Sequence, residues 1–123
     1  MILILSLALI NSKLKVVEKT LLLKCLSQLG LSKNTSYSFI FLNYKAQDFQ
    51  SIEEKLIQGT FQNTIVIFIG PPWLYKMKQK RLNHITLINA SEVIADPSIY
   101  KTNVAYILNG KQLKVIENAN TYV

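Results

Sequence analysis

Apolar residues fall into short dense runs separated by stretches with a three- to four-residue period. Ile2 to Ile10 is almost wholly apolar, as a central strand covered on both faces would be. From Leu14 to Leu29 the period changes. Leu14, Val17, Leu21, Cys25 and Leu29 mark one face of a helix, and Gly30 stands where a left-handed C-terminal cap would. Ser36 to Leu42 reads as a second strand, rich in aromatic and β-branched residues. Asn43 to Ile57 reads as a helix with Phe49, Ile52 and Leu56 at helical spacing, stopped by Gly59. Thr64 to Ile69 is a third buried strand. It ends at Gly70-Pro71-Pro72, because proline cannot donate to a ladder.

A basic segment follows from Trp73 to Asn83, then a short strand from His84 to Ile88. Asn89 and Ser91 open a helical stretch that Asp96-Pro97 interrupts, with Asp96 as N-cap and Pro97 at the first helical position. The spacing of Tyr100, Val104, Ile107 and Leu108 predicts a last helix to about Leu108. Asn109-Gly110 turns the chain, Gln112 to Ile116 can add an edge strand, and residues 117–123 read as a loose tail. Alternating strands and helices predict one α/β domain over residues 1–116. Its expected form is three-layered: a mostly parallel four-stranded sheet flanked by helices, with an optional C-terminal edge strand.

Half of the 123 residues are apolar, enough for a core without staples. Cys25 is the only cysteine and cannot form an internal disulfide, which fits a reducing cytoplasm. No basic residue precedes Ile2 and no small-residue cleavage pattern follows Ile10, so the first run is expected to be a strand and not a secretory segment. At about half the length of a membrane span, it does not predict membrane insertion.

The net charge of +7 favours acidic partners or simple solubility. Arg81 is the sole arginine, which argues against sequence-specific reading of DNA. His84 is the sole histidine, and its place at the start of a strand suits a structural role. Cys25, on the apolar stripe of a helix, reads as a small core residue. No catalytic constellation, metal-ligand spacing or phosphate-binding glycine loop is evident, so no catalytic, cofactor or metal residue is expected. Functional character concentrates in Trp73, Tyr75, Lys76, Lys78, Lys80 and Arg81. Aromatics beside cations suit a protein-docking hot spot or a single-stranded nucleic-acid surface. The plainer reading is a solvated helix with Trp73, Leu74 and Met77 packed inward.

In its order of elements, the chain resembles the psi subunit of bacterial DNA polymerase III. The apolar first strand, the leucine-rich Leu21 to Leu26, and Ser91-Glu92-Val93-Ile94-Ala95-Asp96-Pro97 carry the resemblance. Val104 stands where the family often has a tryptophan, and the family's N-terminal tethering peptide is expected to be missing or supplied differently. The resemblance implies a non-catalytic accessory subunit joining a chi-like subunit, and through it single-strand-binding protein, to the clamp loader. It implies no small-molecule substrate and at most indirect or weak contact with nucleic acid. The psi fold is similar to that of uracil-DNA glycosylases. Leu87-Ile88-Asn89-Ala90-Ser91, however, lacks the histidine and proline of the glycosylase loop, so a degenerate enzyme is the lesser alternative. A basic nucleic-acid-binding module is the other.

Overall fold

In residues 37–43, successive side chains feed two different cores. Phe39 and Phe41 pack into one, Ile40 and Leu42 into the other. This period of two is the signature of a strand covered on both faces. The computed structural model describes residues 19–32, 34–110 and 112–123. The expected strand over residues 2–10 and the first part of the following helix lie outside them.

Five strands form one mixed sheet: β1 (Tyr37–Asn43), β2 (Thr64–Ile69), β3 (Thr86–Asn89), β4 (Ala105–Asn109) and β5 (Gln112–Ile116), in the order β3-β2-β1-β4-β5. β1 pairs in parallel with β2, and β2 with β3. β4 lies antiparallel to β1, and β5 antiparallel to β4. Among the described residues the sheet is thus five-stranded and mixed, where a mostly parallel four-stranded one was expected. The α/β class stands, and so does the edge strand over Gln112–Ile116.

The described part of helix α1 spans residues 19–28 and buries Leu22, Cys25 and Leu26 against one face of the sheet. It ends as the sequence predicts. Gly30 takes φ +68°, Gly30 N–H donates to Ser27 and Leu31 N–H to Leu26, the paired bonds of a Schellman cap. On the opposite face α2 (Phe49–Gln58) contributes Ile52 and Leu56, and α3 (Pro72–Arg81) lays Leu74 and Tyr75 against the same core. Helices thus cover both faces. No helix among the described residues is long and apolar enough to cross a membrane.

Two segments depart from expectation. Pro97–Ile99 is only a 3₁₀ turn, and the predicted last helix is strand β4. Tyr106 and Leu108 enter one core while Ala105 enters the other, so the backbone alternates there, and pairing with β1 decides its conformation. The Asp96-Pro97 element of the psi resemblance accordingly starts no long helix. Residues 119–122, read as part of a loose tail, form a short helix, α4 (Ala119–Tyr122). Ala119 is fully buried, Lys55 Nζ donates to Asn120 O and Oδ1 at 2.9 Å, and the Tyr122 hydroxyl hydrogen-bonds Ser38 Oγ.

Candidate functional site

The basic segment is α3, and its residues divide by face. Leu74, Tyr75 and Lys78 turn towards the sheet, while Trp73, Lys76, Met77, Lys80 and Arg81 are exposed. The proline pair explains how the helix starts. Pro71 occupies the N-cap position with extended backbone and Pro72 the first helical position, where a missing N–H costs nothing.

Tyr75, one of the expected partner-binding residues, serves the fold. Its ring lies 6.2 Å from that of Phe68, and its hydroxyl donates to Leu87 O at 3.1 Å. Burial raises its pKa, and the nearby Glu92 carboxylate adds to the shift. Lys78 is also engaged. Its Nζ lies 2.7 Å from Glu53 Oε2, close in distance though without directed hydrogen-bond geometry, and 5.3 Å over the Phe49 ring. Arg81 Nε approaches the other oxygen of Glu53 at 3.7 Å, with its side chain still half in water. Glu53 is 3% exposed, so these cations neutralise a buried carboxylate on α2.

Trp73 is different. It is 64% exposed, and Met77, one turn on, is 59% exposed. Leu74 alone of the three apolar residues packs inward. Lys76 and Lys80 lie on the same outward face, and α3 contains no acidic residue. The face therefore presents two large apolar side chains among cations.

A second feature lies at the carboxyl edge of the parallel strands. Residues following β1, β2 and β3, together with Pro97 and Lys101 ahead of β4, line a cleft of about 630 Å³. Asn43, in its lining, belongs to a polar network. Asn103 Oδ1 accepts from Asn43 N–H at 2.6 Å, Asn103 Nδ2 donates to Asp48 Oδ1 at 2.7 Å, and Asn43 Nδ2 donates to Tyr100 O at 2.6 Å. Tyr100 stacks on Phe41 with ring centroids 4.6 Å apart. The loop before β4 is thereby tied to the end of β1. Comparison with family models, curated proteins and solved structures finds no match for the chain. The two surfaces therefore have to be read from their own chemistry.

The titratable candidates for catalysis have structural duties. His84 Nε2 hydrogen-bonds Leu56 O at 2.9 Å. Cys25 is fully buried, and burial pushes its thiol up to about 11. No group of three or more potential metal ligands occurs among the described residues. The sequence singled out α3 by its composition. It did not separate the outward Trp73 from the inward Tyr75, and it did not reveal the cleft, whose residues come from four separate segments.

Proposed function

We propose that this domain works by docking an acidic protein partner on the outward face of α3, with Trp73 as anchor. The exposure of Trp73 carries the reading: the inner face of α3 is already filled by Leu74, Tyr75 and Lys78, yet its largest side chain stands in water. Tryptophan and methionine are enriched where interfaces bury surface, and tryptophan is a common hot spot. Lys76 and Lys80 supply the charge, which steers an acidic surface in and discriminates against basic ones. The Pro71-Pro72 start limits the freedom lost on docking.

The resemblance to psi gives this docking a setting. A chi-like subunit is the first partner to test, with the domain linking it to the clamp loader as an accessory subunit of the replicative polymerase. Trp73 is the sole tryptophan, so its emission reports docking directly. We expect titration with a purified chi subunit to shift that emission to the blue and to protect it from iodide quenching, the Trp73→Phe variant providing the partner's background. No change with the chi subunit removes the accessory-subunit role. A shift caused only by single-stranded DNA, weakening steeply with salt, replaces protein docking with the nucleic-acid-binding module.

A further inference from the structure

We propose that the cleft at the carboxyl edge of β1, β2 and β3 binds a small phosphate monoester carrying a planar ring. Such edges are where open α/β sheets hold ligands, at the point where strand connections diverge. Here the carboxyl ends of parallel β1, β2 and β3 lie beside the chain entering antiparallel β4. The volume of about 630 Å³ falls in the range of small-molecule sites.

The lining defines the ligand. Among the described residues, Lys45 and Lys101 are the only charged ones in its lining, and no carboxylate joins them. Neither lysine makes an ion pair among the described residues. Two separate point charges suit a phosphate dianion, whereas a carboxylate is better met by the arginine fork, which this cleft lacks. Asn89 supplies a built polar contact. It is 6% exposed, and its Oδ1 accepts from Ser91 N–H and Oγ, both at 3.1 Å. That fixes the amide's orientation and leaves the Nδ2 donors without a partner among the described residues, on a side chain that lines the cleft. Nδ2 is not sealed from solvent among the described residues, so a ligand acceptor in the cleft would take the place of water there. Tyr44 and Pro71 offer flat apolar surface for a ring. Lys45 Nζ lies over the Tyr44 ring, 5.7 Å from its centroid, so charge and aromatic surface belong to one cluster at the cleft. A free nucleotide and the phosphorylated end of a nucleic-acid strand both present this chemistry.

Calorimetry on the full chain tests it, with adenosine 5′-monophosphate and phenyl phosphate as ring phosphates and with adenosine and inorganic phosphate as the separated halves. A ring phosphate is expected to bind at least about tenfold more tightly than either half, and Lys101→Ala to weaken it about tenfold, the loss of one charged contact. Asn89→Asp keeps the oxygen that caps Ser91 but replaces the Nδ2 donor with negative charge. It should abolish binding while thermal unfolding stays unchanged. If Asn89→Asp fails to fold, Lys45→Ala and Lys101→Ala, both on exposed side chains, decide alone. A 5′-phosphorylated oligonucleotide compared with its unphosphorylated twin tells the strand end from the free nucleotide. Equal binding of ring phosphate and inorganic phosphate, no binding of either ring phosphate, or affinity indifferent to both lysine variants overturns the proposal.

Discussion

Lys78 and Lys80 sit two positions apart on α3 and have different work. Lys78 neutralises buried Glu53, so removing it strands a carboxylate out of water. Lys78→Ala should cost about 3 kcal/mol in denaturant unfolding, near the lower end for breaking a buried pair. Lys80→Ala, a change at an exposed position, should stay within about 0.5 kcal/mol. Composition alone could not separate them, because the sequence shows four cations on one segment and not which of them faces Glu53. Cys25 was legible as core from its place on the α1 stripe, and the structure buries it fully. Its thiol pKa rises from 9.0 to about 11 on folding. The folded state therefore holds a proton that the unfolded state releases first. The stability linked to Cys25 is complete below pH 9.0 and declines as pH rises towards about 11. The stability difference between the wild type and Cys25→Ala, measured across that window, should change in this direction and stay constant below it.

At the scale of elements, β2 was legible to the residue, because a continuous apolar run ends at a proline pair. β4 was not. Tyr100, Val104, Ile107 and Leu108 happen to fall at helical spacing, and only the neighbouring β1 reveals that residues 105–109 are extended. The turn after β4 was readable from Asn109-Gly110, and Gly110 takes φ +60° between the paired Asn109 and Gln112. Gly110→Ala should lower stability by about 1 kcal/mol, since a Cβ is strained at positive φ. The tie between β1 and the loop ahead of β4 left no sequence signal, because Asn43, Asp48 and Asn103 meet only in space. Asn103 is 2% exposed. Asn103→Ala should cost about 2 kcal/mol in thermal or denaturant unfolding, because it leaves the Asn43 N–H without its acceptor.

For the whole molecule, the alternation of strands and helices made the α/β class legible, but the strand directions depended on β4 being read correctly. The net charge of +7 suits acidic partners or simple solubility and singles out no surface. The fold separates the two faces of α3. It turns Tyr75 and Lys78 inward and leaves Trp73, Met77, Lys76 and Lys80 in water. Hydrophobic pattern could not predict this, because apolar residues lie on both faces of α3 and give it no stripe. Trp73 is proposed to anchor a partner and not to support the core. Trp73→Ala tests it when unfolding and affinity for the docked partner are measured on the same preparation. We expect stability within about 0.5 kcal/mol of the wild type and a loss of binding of about 2 kcal/mol or more. A loss of stability on the order of 3–5 kcal/mol, as for a buried tryptophan, or an unchanged affinity in a stable variant would contradict it.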